Sequence, residues 1–325
     1  MAIVNAAIVG LGWWGKNIVE AIQDKSERLR FVHGVSKEPD AARDFAKTKD
    51  FRLSTDLEDA LADPQVQAVV LATPHSLHAE QIVRVAAAGK AVFCEKPLAL
   101  TRTDAERAVA ACREAGVALG VGQNKRFWPS MQELRRVAAS GVLGRVMHIE
   151  GHYSNENSSK FFAPWRDLTS ETPGAGMTGT GIHLLDAFAS VAGAASEVSA
   201  QFISHQGGHD PRDTVSVLFS FANRMSGLLG AVRASPVYWR VHVFGDQGSV
   251  EALGETEVVI RLQDGKTERR DFPRIDSLRA EIDAFADAAA GRSPYPITPD
   301  EMVNTIAAFE AVIRSLESGK PVTIH

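Results

Sequence analysis

The sequence predicts an α/β Rossmann domain, a doubly wound parallel sheet, followed by an α+β domain built on a large, mostly antiparallel open sheet. Three observations carry that expectation. The chain has 325 residues, and at about 100–200 residues per domain such a length favours two. Up to residue 122 short apolar runs alternate with helical periodicity, and beyond it strand-like runs follow one another in series. A glycine motif, Gly10, Gly12 and Gly15, stands between the first apolar run and the first helical pattern.

In the first part, residues 3–9, 29–35, 69–73, 91–94 and 117–121 read as strands, and 18–23, 41–47, 79–88 and 103–115 as helices. The strand runs are continuously apolar, as expected where helices cover both faces of a parallel sheet. A proline-containing stretch, 123–130, precedes strands at 146–153, 198–205, 214–221, 224–234, 241–244 and 257–262, with a helix at 182–191 among them. Helices at 278–290 and 299–318 close the chain, the second opening with Thr298 before Pro299 and stopping at Gly319. The expected division is 1–122 for nucleotide binding and 123–325 for substrate binding and oligomerisation, with the C-terminal helix packing back toward the first domain.

Composition excludes several classes. With 45% apolar and 23% charged residues, the chain is neither disordered nor fibrous. Its 35 Lys and Arg against 40 Asp and Glu give a net charge of -5 with no basic run, which argues against nucleic-acid or anionic-membrane partners. Cys94 and Cys112 make neither a disulfide framework nor a zinc spacing. No basic leader precedes the apolar N-terminus and no stretch of about 18 apolar residues occurs, so a cytoplasmic protein is expected. His148 and His152 are spaced by four, and His205, His209 and Asp210 surround a Gly-Gly turn, but neither group completes a ligand set, so no metal is expected.

The glycine motif has the context of a dinucleotide fingerprint, because it follows a buried-type strand and opens a helix. Gly10 makes the tight turn, Gly12 lets the backbone approach a pyrophosphate, and Gly15 lets helix and strand pack closely. Leu11, Trp13 and Trp14 complete the loop, the tryptophans either packing at the helix start or walling the cofactor. The acid that usually holds the ribose 2′-OH of NAD at the end of the second strand is replaced by Ser36, with Lys37 beside it. A hydroxyl and a cation suit a 2′-phosphate, so NADP is the preferred cofactor, with NAD possible if Lys37 is only a solvated lysine and Glu38 meets the ribose.

Thr73, Pro74, His75 and His78 after the fourth strand, then Glu95, Lys96 and Pro97 after the fifth, resemble the glucose-fructose oxidoreductase, inositol dehydrogenase and rhizopine-catabolism oxidoreductase family. The likeness runs nearly end to end, through Gln123, Arg126, Phe127 and Pro129, Trp165 and Arg166, His183 and Asp186, Gly245 to Ser249, and Ser318 to Val322. It implies an NAD(P)-dependent dehydrogenase or reductase acting on CH–OH groups, moving hydride to or from a secondary alcohol carbon of a sugar, polyol, sugar acid or related cyclic diol. It also implies a homodimer or homotetramer formed through the second-domain sheet. By the same resemblance Thr73, Pro74, His75, His78, Glu95, Lys96 and Gln123 attend the cofactor, and Lys96 is the acid/base. A lysine's ordinary pKa near 10.4 must fall toward about 7–8 for that task. His183 is the second catalytic candidate, suited to relaying or holding a proton.

Family members place an aspartate four residues before this histidine, where this chain has Gly179. Asp186, almost one helical turn after His183, either orients it or faces another helix. The missing carboxylate leaves two readings: an enzyme with room for a different substrate, or a nucleotide-binding redox sensor or partner protein with vestigial catalysis. For substrate contacts the candidates are Lys96, Arg126, Asn155, Asn157, Arg166, Thr180, His183 and Tyr238, with Trp165 and Arg166 also on the nicotinamide side. Arginines among them would suit a carboxylated substrate.

Overall fold

The structure is a computed structural model that describes residues 3–156, 165, 168, 170–174, 176–204 and 213–325. Two compact units divide the chain: residues 1–124 with 276–299, and residues 125–275 with 300–325.

The first unit alternates strands β1 (Val4–Val9), β2 (Leu29–Val35), β3 (Arg52–Ser54), β4 (Ala68–Leu71), β5 (Ala91–Glu95) and β6 (Leu119–Gly122) with helices α1 (Trp13–Ile22), α2 (Pro39–Thr48), α3 (Leu57–Leu61), α4 (His78–Ala87) and α5 (Arg102–Ala115). Its sheet order is β3-β2-β1-β4-β5-β6, all parallel. The order reverses between β1 and β4, and in such sheets ligands bind outside the carboxyl ends of the strands at that reversal. Every residue of β4 and β5 is buried, which explains why their sequence is apolar up to Glu95. The short pair β3 and α3 escaped the sequence pattern, since three residues carry no period.

A late segment belongs to this unit. Helix α8 (Ser277–Ala289) packs on α1 and β6, with Phe285 5.5 Å from Phe93 and Arg28 paired to Asp287. Tyr295 donates its phenol O–H to the Val121 carbonyl at 2.8 Å. The sequence reading assigned everything after residue 122 to one unit; residues 276–299 instead group with the first unit, and the last helix, α9 (Pro299–Ser318), lies mostly in the second.

The second unit carries α6 (Pro129–Ala139), β7 (Val146–Asn155), α7 (Ile182–Ala192), β8 (Ala195–Ile203), β9 (Thr214–Phe221), β10 (Ser226–Arg233), β11 (Tyr238–Gly245), β12 (Gly248–Leu253), β13 (Glu257–Leu262), β14 (Thr267–Asp271) and β15 (Val322–Thr323). They form a nine-stranded sheet, β14-β13-β12-β11-β7-β10-β9-β8-β15, antiparallel except where β7 meets β10. Helix α6, with Met131, Leu134 and Val137 buried, was not anticipated, nor were β12, β14 and β15. Alternation is clean in β9, where Val215, Val217, Phe219 and Phe221 are buried and Leu218 is exposed. Helix α7 covers the inner face, its Phe188 edge-on to Phe219 and Phe221. The close approach needs Gly151, where a Cβ would stand 2.8 Å from the Phe188 ring.

Candidate active site

The carboxyl edge of the parallel sheet gathers the predicted cofactor residues. Gly10 follows β1 at φ +94°, and a Cβ there would lie 2.4 Å from the Ala72 carbonyl oxygen. At Gly15 a Cβ would lie 1.9 Å from the Gly10 oxygen, whereas at Gly12 it would meet none of the described residues within 4 Å. Two glycines therefore close the turn against β4, and the third leaves open space over the start of α1. That helix has no side-chain cap and no acidic residue in its first turn, the condition under which its N–H groups suit an anion. Beside it Trp13 is exposed, and the buried Trp14 indole N–H has no acceptor among the described residues. A pyrophosphate-bearing nucleotide fits this cradle.

Ser36 and Lys37 follow β2. The Ser36 oxygen accepts from the Glu38 N–H at 3.2 Å, which leaves the hydroxyl proton available to donate. Lys37 and Glu38 are both exposed. After β4, Thr73 donates its hydroxyl to Gln81 at 2.6 Å, and buried His75 lies 5.7 Å from the His78 ring. His78 is fully buried, with Nδ1 2.7 Å from the Pro97 carbonyl oxygen and Nε2 3.0 Å from that of Thr73. Rather than reaching outward, it clasps the β4 loop to the segment carrying Lys96.

Lys96 leaves β5 half-buried, and its peptide bond to Pro97 is cis. Glu95 precedes it, buried opposite Gly122 of β6, where a Cβ would stand 2.8 Å from the Glu95 carboxylate. Glu95 also accepts the Lys96 N–H at 3.3 Å. Gln123, next in line after β6, is buried. The sheet thus carries Gly10, Ser36, Thr73, Lys96 and Gln123 at the ends of successive parallel strands.

In the second unit a wide, π-type turn, Met177–Gly181, leads into α7 and delivers His183, which is buried with its ring 6.2 Å from Tyr153. Gly179 lies on that turn, and a Cβ there would meet none of the described residues within 4 Å. Asn155 donates to the Tyr153 hydroxyl at 3.0 Å, so Asn155, Tyr153 and His183 are brought together on the inner face.

Three proposed substrate contacts are placed elsewhere. Arg126 is 3% exposed, and its guanidinium meets both Asp186 carboxylate oxygens at 2.8 and 2.9 Å and Glu301 at 2.7 Å. It is a core ion-pair residue. The same contacts show that Asp186 faces Arg126, and burial pushes its carboxyl above the ordinary range against the pull of that cation. Thr180, 1% exposed, donates to the Gly176 carbonyl at 2.7 Å inside its own turn. Tyr238 pairs with Ser154 in register and lies 5.6 Å from His152 on the outer face, opposite to Tyr153. Its neighbour Trp239 points inward, 5.4 Å from Tyr153. Trp165 is partly exposed and its carbonyl accepts the Leu168 N–H at 3.3 Å, while Asn157 and Arg166, like His205, His209 and Asp210, lie outside the described residues. On the outer face His148 meets Ser226 at 2.7 Å.

Sequence reasoning passed over two features here. Arg233 and Asp213 form a buried ion pair at 3.1 Å against the turn that precedes α7; a Cβ at Gly176 would lie 2.6 Å from Asp213. Lys125, one residue before Arg126, sits among Trp128, Tyr153 and Trp239. The signal for it was a basic pair followed by Phe127 and Trp128.

Comparison with known proteins bears on this arrangement. Residues 4–123 match the family model described as an oxidoreductase family with an NAD-binding Rossmann fold, and residues 131–251 match that of the GFO/IDH/MocA C-terminal domain. A 2,7-anhydro-N-acetylneuraminate hydratase from Mediterraneibacter gnavus is 27% identical over 78% of this chain and 67% of its own. A trans-1,2-dihydrobenzene-1,2-diol dehydrogenase from Sus scrofa is 28% identical over 72% of this chain and 70% of its own. The fold matches that of a levoglucosan dehydrogenase complexed with NADH and L-sorbose, with a TM-score of 0.86 at 22% identity over all of both chains. Among the described residues no helix is long and apolar enough to cross a membrane.

Proposed function

The chain belongs to the GFO/IDH/MocA family of oxidoreductases, and we propose that it transfers hydride between a nicotinamide cofactor, NADP in preference to NAD, and a secondary alcohol or ketone carbon of a sugar, polyol, sugar acid or cyclic diol. The observation that carries this reading is the glycine cradle sharing one sheet edge with Lys96. Bound there, the nicotinamide supplies a hydride acceptor for oxidation and a donor for the reverse. Lys96 takes the hydroxyl proton of an alcohol, or returns it to a ketone oxygen, and His183 is the second catalytic candidate, suited to holding or relaying a proton. The dihydrodiol relative supports a diol-type substrate. Self-assembly is assigned to the outer sheet face, where Leu218 and Leu228 are adjacent in register and 60% and 43% exposed.

Cofactor choice is tested by titrating NADPH and NADH. NADPH should bind the more tightly, and Lys37→Ala should shrink the ratio by about tenfold, the worth of one charge-assisted hydrogen bond. NADH binding at least as tightly, or an unchanged ratio, removes the NADP preference.

Gly179 favours a second reading, a nucleotide sensor without turnover. Among the described residues a Cβ at this position meets nothing within 4 Å, which makes Gly179→Asp the test. If the pocket is catalytic, the added carboxylate should raise kcat/KM on neutral polyols by at least about tenfold, approaching the 10²–10⁴ of a positioned acid–base group. A chain that binds NADPH yet turns over no polyol, sugar acid or cyclic diol, before or after the substitution, is the sensor.

A further inference from the structure

Lys125 is 9% exposed, yet among the described residues its ammonium has neither a hydrogen bond nor an ion pair. Its surroundings are aromatic: Nζ stands 4.6 Å from the Trp128 ring centre, 4.6 Å from that of Tyr153 and 5.8 Å from that of Trp239. These rings brace one another, Trp239 lying 5.3 Å from Trp128 and 5.4 Å from Tyr153. Ring faces attract a cation electrostatically, which fixes the ammonium in place. They do not replace the oxygen acceptors that a buried ammonium loses on leaving water. Tyr153 joins this cage to the catalytic candidate, since the His183 ring lies edge-on to it and Asn155 donates to its hydroxyl.

The alternative cation, Arg126, is consumed by Asp186 and Glu301. We propose that Lys125, held by Trp128, Tyr153 and Trp239, is the residue that selects a carboxylate on the substrate, so that the alcohol oxidised beside His183 belongs to a sugar acid rather than a neutral polyol. This rests on the oxidoreductase reading above and deepens it. A carboxylate supplies the missing acceptors and the opposite charge at once, while a neutral hydroxyl supplies only one weak acceptor.

The test measures equilibrium binding of D-gluconate, D-sorbitol and D-sorbitol 6-phosphate to the NADPH-loaded protein. Gluconate should bind at least tenfold more tightly than sorbitol. Lys125→Met should abolish that difference by weakening gluconate alone, with NADPH affinity unchanged as the check on folding, and Lys125→Arg should keep most of it. Equal binding of gluconate and sorbitol, no measurable gluconate binding, or a preference that survives in Lys125→Met overturns the proposal. Tighter binding of the phosphate, lost in Lys125→Met, replaces the carboxylate by a phosphoryl group and overturns it too. Turnover is read separately: gluconate that binds through Lys125 but yields no NADPH from NADP counts against the dehydrogenase reading and not against the anion site.

Discussion

Lys96→Met should lower kcat by about 10²–10⁴, the range a positioned acid–base group supplies, while NADPH affinity stays within a few-fold of the parent. The expectation follows from position. Lys96 stands at the carboxyl end of β5, half-buried, one residue from the Pro97 carbonyl that His78 grips. The cradle that holds the pyrophosphate lies after β1, on backbone that the substitution does not touch. Methionine keeps the length and loses both the charge and the transferable proton. Lys96→Arg separates these two properties, since a guanidinium keeps the charge but does not give up its proton near neutral pH. If Lys96 moves a proton, both variants fail alike; if it only polarises a carbonyl, Arg retains a large share of the rate. Single-turnover measurement of NADPH formation reads the chemical step directly. Full turnover in Lys96→Met removes the mechanism.

How far the site was legible follows from how local its signals are. Gly10, Gly12 and Gly15 could be read from sequence because the motif is spelled out within one strand–turn–helix unit, although only Gly15 answers to a contact inside it, 1.9 Å from Gly10, while Gly10 closes on Ala72 after β4 at 2.4 Å. The parallel sheet was legible for the same reason. Tyr238 and Trp239 show where such reasoning stops. The predicted strand began at residue 241, three residues after the true start of β11, so nothing anchored which of the two neighbours faced inward. In a strand a one-residue error exchanges the faces. Lys125 and Arg126 present the same difficulty in a short 3-10 turn, Asn124–Phe127, where adjacent cations go to an aromatic cage and to a carboxylate pair. No spacing rule links Arg126 to Asp186, sixty residues on, or to Glu301. Helix α8 groups with the first unit through contacts such as Phe285 on Phe93 that no local pattern announces.

Arg126→Ala should destabilise the second unit by about 3–5 kcal/mol, the cost of stripping one partner from a buried ion pair. Arg126 and Asp186 side chains are 1% and 4% exposed, and Glu301 is 15% exposed, so water does not make good the loss. At roughly 2–4 °C per kcal/mol for a unit of this size, the melting temperature should fall by on the order of 10 °C. The sign of the pH dependence follows from Asp186, whose carboxyl burial already raises. Without Arg126 it rises further, and the folded state then holds a proton that the unfolded state has released. A carboxyl raised on folding favours the folded state below its unfolded pKa, and that advantage is lost as pH climbs through the folded value. The variant should therefore lose less stability relative to the parent at pH 5 than at pH 8. Arg126→Met with Asp186→Leu, which removes charge from both sides of the pair, should recover a large part of the loss. Urea melts of the three proteins at both pH values decide the matter. A cost below about 1 kcal/mol, the range of exposed pairs, would return Arg126 to the substrate.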